Sequence, residues 1–242
     1  MNRRSHFSRA AICAVALLYL SPMAIWSQAN SSKPGIPEGF TPIFNGRDTK
    51  GWHWSKTVHH GTNALATVDN GELVLKQHPF GQGGLFVTDK RYKNFELYIE
   101  VKLPWGCNSG LFLRSSEGGS AYQVELDQAA GNANFLGELI HLSKSAPATD
   151  IAKVWKTDDW NTFRVRMTGD DPHVTLWVNG VQMWDVQEPD NDKIAGETDG
   201  RIGLQLHWSS TYQPELAGAG IGSNWKPDAT IRFRNIAMKE LP

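Results

Sequence analysis

Hydrophobic and polar residues alternate with a period of two along most of the chain beyond residue 39, and no long stretch has a helical period. In Asn94 to Leu103, apolar side chains occupy every second position from Phe95 onward, with charged residues and Tyr98 between them. The segments 162–168 and 173–179 repeat the pattern. Such alternation predicts β-strands that bury one face and leave the other polar.

Turn sequences separate these strands. Asn179-Gly180 lies between one alternating segment and the next, Val181 to Val186, and a two-residue Asn-Gly loop predicts a tight β-hairpin. Asp69-Asn70-Gly71 predicts a second turn of this kind. Strands joined by turns, without helices, predict an all-β fold: a two-sheet antiparallel jelly-roll sandwich of the concanavalin A-like kind, with a closed barrel as the alternative.

The first 38 residues do not fit this pattern. Arg3, Arg4 and Arg9 precede an apolar run, Ala10 to Leu20, which is shorter than the ~20 residues that cross a bilayer. Small residues follow at Ser27-Gln28-Ala29. We therefore predict a cleaved signal peptide over residues 1–29, a short leader over 30–38, one domain over 39–242, and a secreted or periplasmic protein with no membrane span in the mature chain. An uncleaved anchor is the alternative.

Composition narrows the possible partners. The formal net charge is −1 and no basic stripe is present, which argues against nucleic acid and anionic membranes. Beyond the predicted signal peptide only Cys107 remains, so no internal disulfide can form. Of ten tryptophans, only Trp26 precedes the predicted mature chain. The nine tryptophans that remain are more than a core of this size requires. Exposed indole faces stack on sugar rings, so we predict a carbohydrate partner.

Three predicted strands carry polar groups on the face opposite their apolar residues, because successive side chains alternate across a strand. These residues are Gln123, Glu125 and Asp127 in segment 121–127, Gln205 and His207 in segment 201–207, and Phe112 and Arg114 in segment 110–114. If the strands share a sheet, a histidine, an arginine, two carboxylates and two amides meet on one concave surface. Such groups can bind hydroxyls and move a proton. A simple cross-strand ion pair is the structural alternative for the charged residues.

The other histidines are interpreted by their surroundings. His141 ends a predicted strand from Phe135 and is a candidate for the site, whereas His59, His60 and His78 lie in turn-like segments and are predicted to be solvated. No His-x-His spacing is present, so the sequence does not indicate a dedicated metal site, although calcium ligands from loops stay possible. The long, Gly-rich segment from Trp208 to Asp228 is predicted to fold over one rim of the sandwich.

An ordered set of short motifs resembles the 3-keto-disaccharide hydrolase domain family, long known as the domain of unknown function 1080. The motifs are Gly39-Phe40, Ile43 to Asp48, Gly51-Trp52, Asn108 to Arg114, Tyr122 to Asp127, Trp160-Asn161, Trp177 to Gly180, Gly200 to His207 and Arg232 to Ile236. They follow the family's order over nearly the whole mature chain. The resemblance implies a concanavalin-like jelly roll, secretion, and action on glycosides oxidised to a ketone at C3.

The chemistry that the resemblance implies needs a base near C2, a stabiliser for the C3 oxygen and an acid for the leaving group. On the strand geometry we place His207 or Glu125 as the base and Arg114 as the enolate stabiliser. A divalent metal could take the place of Arg114. The residues expected to hold the substrate are Gln123, Asp127, Gln205, Asn108, His141 and Trp208.

One departure concerns the catalytic strand. Many relatives carry Tyr-Glu-x-Gln where this chain has Tyr122-Gln123-Val124-Glu125, so the amide and the carboxylate are exchanged. Which of the two positions is catalytic therefore stays open, although both lie on the same face of the strand.

Two other functions fit the same fold. A non-catalytic, lectin-like module would present tryptophan faces without a titrating group near the sugar. A retaining β-glucanase would carry Glu-x-Asp-x-(x)-Glu on one strand. Here Glu125-Leu126-Asp127 begins that pattern, but Gln128, Ala129 and Ala130 follow, so the second glutamate is missing and this interpretation ranks third.

Overall fold

The structure is a computed structural model that describes residues 35–127, 139–140, 148, 150–209 and 225–242. Residues 35–242 form one compact unit. The predicted signal peptide, His141 and most of the 208–228 loop lie outside the described residues. No helix in the described part of the chain is long and apolar enough to cross a membrane.

Fourteen strands within the described residues form two antiparallel sheets. The first sheet contains β1 (Thr41–Pro42), β3 (Leu65–Asp69), β4 (Glu72–Lys76), β6 (Phe95–Lys102), β10 (Asn161–Thr168), β11 (His173–Val178), β12 (Val181–Gln187) and β14 (Thr230–Glu240). The second contains β2 (Trp52–Trp54), β5 (Gly84–Thr88), β7 (Asn108–Ser115), β8 (Tyr122–Asp127), β9 (Leu139–Ile140) and β13 (Arg201–Leu206). Within the described ranges, helix is confined to α1 (Ile151–Val154) and a 3₁₀ turn at Asp192–Ile194. The predicted all-β, two-sheet antiparallel sandwich is confirmed.

The core lies between the sheets and follows the alternation of the sequence. In β10, Phe163, Val165 and Met167 are buried while Arg164 and Arg166 are exposed. The core side chains of β7, β8 and β13 meet them from the second sheet, in one continuous apolar cluster. A second, smaller apolar cluster (Val58, Leu85, Val87, Phe112 and Ala121) covers part of the opposite face of the second sheet.

The predicted hairpin at Asn179-Gly180 is confirmed. Strand β11 ends at Val178 and β12 begins at Val181, so two residues form the loop. Asn179 and Gly180 both have positive φ, +49° and +83°, as a type I′ turn requires. Asn70 and Gly71 repeat the geometry between β3 and β4.

Cys107 is a core residue at the start of β7. Its side chain is fully buried in the main apolar cluster, and burial raises the pKa of its thiol. We expect native mature protein to resist alkylation by iodoacetamide, because the thiolate is the reactive form. Mass spectrometry should detect modification of Cys107 only after unfolding in denaturant, and rapid labelling of the folded protein would contradict this assignment.

Candidate active site

The outer face of the second sheet carries the predicted polar residues. Strands β13, β7 and β8 are direct neighbours in the sheet, in that order, although β13 is the last of the three along the chain. On β8, Tyr122, Val124 and Leu126 enter the core, so Gln123 and Glu125 lie on the other face. The predicted polar residues of β8 and β13 therefore lie on strands of one sheet, which is the condition that the sequence analysis set.

Gly110 allows the polar groups of β8 and β13 to meet across β7. It pairs with Glu125 in the register of β7 and β8. A Cβ atom at position 110 would lie 2.4 Å from Nε2 of Gln123, so any other residue would displace this side chain. The missing side chain lets the Gln123 amide cross β7 and reach Gln205 on β13, where the two groups are hydrogen-bonded.

A pocket of about 240 Å³ opens on this face, and we call it the inner pocket. Its lining residues are His59, His60, Asn108, Phe112, Gly119, Gln123, Glu125, Gln205 and His207. Five of the predicted site residues are therefore together in one pocket: Asn108, Gln123, Glu125, Gln205 and His207. Asp127 does not line it, but its charge acts on His207.

A directed chain of hydrogen bonds forms one side of the inner pocket. Nε2 of Gln123 donates to Oε2 of Glu125 over 2.7 Å and to Oε1 of Gln205 over 3.3 Å. Nε2 of Gln205 in turn lies 2.9 Å from Nε2 of His60. An amide nitrogen can only donate. Because Nε2 of Gln123 faces both Glu125 and Oε1 of Gln205, the Gln205 amide turns its own Nε2 to His60 and donates to it.

This chain determines the tautomer of His60. Since Nε2 of His60 accepts a hydrogen bond, the hydrogen of the neutral ring lies on Nδ1. Burial, followed by the charges of His59 and His207, lowers the pKa of His60 to about 3, so the ring is neutral at physiological pH. Nδ1 of His60 and Oδ1 of Asn108 are buried and have no partner within the described residues. Buried polar atoms are normally paired, so a donor and an acceptor remain for a polar ligand.

His207 has the opposite ring nitrogen, Nδ1, engaged in a hydrogen bond. It directly follows β13, and its Nδ1 lies 2.7 Å from the carbonyl oxygen of Trp208. A carbonyl only accepts, so Nδ1 carries the hydrogen and Nε2 keeps a free lone pair. Burial lowers the pKa of His207, while the bond to Trp208 and the charge of Asp127 oppose this effect. The ring is therefore mostly neutral at pH 7.

Arg114 is not part of the pocket, and its predicted position is wrong. It has a left-handed backbone with φ +51°, at the irregularity where the register of β7 and β13 shifts. This β-bulge breaks the alternation on which the prediction rested. The guanidinium is 1% exposed and donates to the carbonyl oxygens of Lys93 and Gly169 and to Oδ1 of Asn94. It ties the second sheet to the rim of the first.

His59 and His60 are the site residues that the sequence did not indicate. We predicted both to be solvated. His59 is exposed as predicted, whereas His60 is only 7% exposed, and both line the inner pocket. The ring centroid of His60 lies 4.0 Å from that of His59 and 5.2 Å from that of His207. Their segment is irregular, so no strand pattern predicts which way they point. His78 is exposed.

A second pocket of about 440 Å³ adjoins the first, and we call it the outer pocket. Its lining residues are His59, His60, Phe80, Gly81, Gln82, Trp208 and Ser209. Phe80 and Trp208 are each 42% exposed, and the Trp208 ring stacks on that of His207. The predicted substrate residue Trp208 therefore lies beside the inner pocket rather than in it.

No group of three or more His, Cys, Asp or Glu side chains in the described ranges could hold a metal ion. His141, which was predicted to contact substrate, lies outside the described residues.

Comparison with known proteins gives a family match and several structural neighbours. Residues 39–239 match the model of a family described as the 3-keto-alpha-glucoside-1,2-lyase-like domain. A candidate glycosyl hydrolase from Parabacteroides distasonis ATCC 8503 has a TM-score of 0.56 at 22% identity, over 85% of this chain and 95% of its own.

A second candidate glycosyl hydrolase from the same organism has a TM-score of 0.54 at 18% identity, over 84% of this chain and 99% of its own. A structure described as a native glycosidic hydrolase has a TM-score of 0.53 at 13% identity, over 79% and 90% of the two chains. These neighbours share the fold. A comparison with curated proteins found no match.

Proposed function

The chain belongs to the 3-keto-alpha-glucoside-1,2-lyase-like domain family, and we propose from this premise that it is an exported enzyme that cleaves 3-keto-glycosides. The reaction is removal of the C2 proton followed by elimination at C1, and addition of water to the product gives net hydrolysis. The observation that carries the proposal is His207, a neutral imidazole with Nε2 unprotonated, in a pocket lined by Glu125 and two amides.

The first step uses the acidity that a ketone gives to the neighbouring carbon. Nε2 of His207 takes the C2 proton, and the electron pair of the C2–H bond moves into an enolate whose charge lies on the C3 oxygen. An imidazole that is neutral at working pH suits this step, because only an unprotonated ring nitrogen can accept the C2 proton. Trp208 supports this through its carbonyl oxygen, which holds the His207 ring in the required tautomer.

Stabilisation of the enolate must come from a group other than Arg114. The Nδ1–H of His60 is a donor without a partner within the described residues, and the ring is held by Gln205. A neutral imidazole donates to an oxyanion without surrendering its proton, because it is a very weak acid. In this proposal Glu125 acts through the amide chain, as the acceptor that orients Gln123, Gln205 and hence His60.

The enolate then expels the substituent at C1. The C3 carbonyl re-forms, a double bond forms between C1 and C2, and the C1–O electron pair leaves with the departing oxygen. The elimination needs no oxidant or reductant. Water that adds to the unsaturated product gives the free 3-keto sugar.

The decisive experiment compares a 3-keto-glucoside with the same glucoside in its unoxidised form. We expect the mature protein to release aglycone only from the ketone, because only there is the C2 proton acidic. Mass spectrometry of the products measures the release, and reaction in D₂O should place deuterium at C2 of recovered substrate or product. Release from the unoxidised glycoside would contradict the proposal and favour an ordinary glycosidase.

A lectin-like role is the second candidate, favoured by the exposed rings of Phe80 and Trp208 beside the site. It predicts sugar binding by calorimetry with no turnover of either substrate. That result would replace the enzymatic proposal.

A further inference from the structure

The inner and outer pockets are joined through two residues, His59 and His60. A glycoside whose oxidised ring lies in the inner pocket against His207 must extend its C1 substituent out of that pocket. The outer pocket is the adjoining space, and the bond that breaks then lies where the two pockets meet. The two imidazoles at this junction are 4.0 Å apart between ring centroids.

The lining of the outer pocket indicates the chemistry of its ligand. The lining residues in the described part of the chain are neutral or histidine side chains. Phe80 and Trp208 offer exposed aromatic faces, and Gln82 and Ser209 add polar groups that can bind hydroxyls. An aromatic face together with neutral hydrogen-bonding groups suits a neutral pyranose ring.

Building on the proposed function, we infer that the outer pocket binds a neutral sugar as the leaving group and that His59 donates the proton to the departing glycosidic oxygen. His207 removes the C2 proton at one end of the junction. As the C1–O bond breaks, its electron pair stays on oxygen, and the new O–H bond takes its proton from the imidazolium of His59. Exchange with water then removes the proton from His207 and returns one to His59.

His59 fits this role better than its neighbour. Nε2 of His60 is occupied by the amide of Gln205, and the ring is buried beneath the junction. His59 is exposed to solvent, so it can exchange its proton between turnovers, and it lines both pockets. The three histidine rings follow one another in space. The neutral imidazole of His60 therefore lies between the proposed acid, His59, and the proposed base, His207.

The test of His59 uses two leaving groups of different acidity. With a 3-keto-disaccharide, whose leaving sugar alkoxide needs a proton, His59→Gln should lower kcat/KM about 10²–10⁴-fold, the usual contribution of a general acid. With 4-nitrophenyl 3-keto-glucoside the same variant should lose less than about tenfold, because nitrophenolate leaves without protonation. His173→Gln, in β11 of the other sheet, is the matched control and should change neither rate.

The test of the outer pocket uses leaving groups of different size. Phe80→Ala should raise KM for the 3-keto-disaccharide roughly 3- to 10-fold, as expected for loss of one stacking face, and leave KM for methyl 3-keto-glucoside unchanged. If Phe80→Ala instead raised KM only for the 4-nitrophenyl substrate, the pocket would bind an aryl group and the inferred sugar site would be wrong.

The outcomes separate this inference from the proposed function. If unmodified protein fails to turn over 4-nitrophenyl 3-keto-glucoside, the proposed function itself is wrong. If the protein is active but His59→Gln slows both leaving groups equally, or neither, His59 is not the acid. Circular dichroism of each variant confirms that the sandwich is folded.

Discussion

Replacement of His207 by Gln is expected to lower kcat/KM for a 3-keto-glycoside by about 10²–10⁴-fold while the protein stays folded. The glutamine keeps a polar side chain of similar length but offers no basic nitrogen to the C2 proton. His207 lies after the end of β13, and its ring contacts those of His60 and Trp208, neither of which belongs to the main core cluster, so we expect the variant to fold. Steady-state kinetics with the unmodified and variant proteins measures the effect.

The pH profile provides an independent check on this base. Burial lowers the pKa of His207 below its ordinary value of 6.5. A base works only when it is unprotonated. With 4-nitrophenyl 3-keto-glucoside, whose leaving group needs no acid, kcat/KM should therefore hold its plateau down through pH 6.5 and fall only as the pH drops through the lowered pKa of His207. In His207→Gln this acidic limb should vanish from the residual activity.

Glu125→Gln is the comparison that separates the two candidate bases. If Glu125 only orients the amide chain, its variant disturbs Gln123 and Gln205 but leaves the acidic limb of the pH profile that belongs to His207. A limb that persists in His207→Gln and disappears in Glu125→Gln would assign the base to the carboxylate and refute the role of His207. The His173→Gln control should retain full activity and the unmodified profile.

Arg114→Met is expected to destabilise the protein by about 2–4 kcal/mol without abolishing catalysis. The substitution removes the guanidinium from its part-buried hydrogen bonds to the carbonyl oxygens of Lys93 and Gly169, and an acceptor that loses its partner away from water is costly. The loss is limited because one guanidinium nitrogen, Nη1, already lacks a partner within the described residues. Thermal unfolding should show a midpoint lower by roughly 5–15 °C.

The kinetic consequence distinguishes the structural role of Arg114 from the role predicted from the sequence. An enolate stabiliser would lower kcat severely, whereas an inter-sheet anchor leaves kcat within about twofold at a temperature where the variant is folded. Arg166→Met, on the exposed face of β10, is the matched control and should shift stability by no more than about 0.5 kcal/mol. A large loss of kcat in folded Arg114→Met would place the guanidinium in the reaction after all.

Strand β8 illustrates what can be derived from the local sequence. Alternation in β8 was sufficient to place Gln123 and Glu125 on one face, because the pleat of a regular strand fixes the direction of every side chain. Both the amide and the carboxylate line the inner pocket. The Gln123 amide links the carboxylate of Glu125 to the amide of Gln205 through two hydrogen bonds.

The amino-acid sequence by itself determined the strands, the Asn-Gly hairpin, the sandwich class and the inward and outward faces of β8 and β13. These features depend on side-chain alternation and turn geometry over a few residues, and such local preferences are written directly in the chain. The family resemblance likewise came from short motifs in order, and the match over residues 39–239 confirms it.

Tertiary structure alone decided which of the polar residues meet. His60 and Gln205 are 145 residues apart and join only because β13 inserts between β5 and β7. The bulge at Arg114 arises where β7 is paired with β13, and it turns toward the first sheet a side chain that ideal alternation assigns to the pocket. Pairing between distant strands and a local left-handed backbone both depend on long-range packing, which a periodic pattern does not encode.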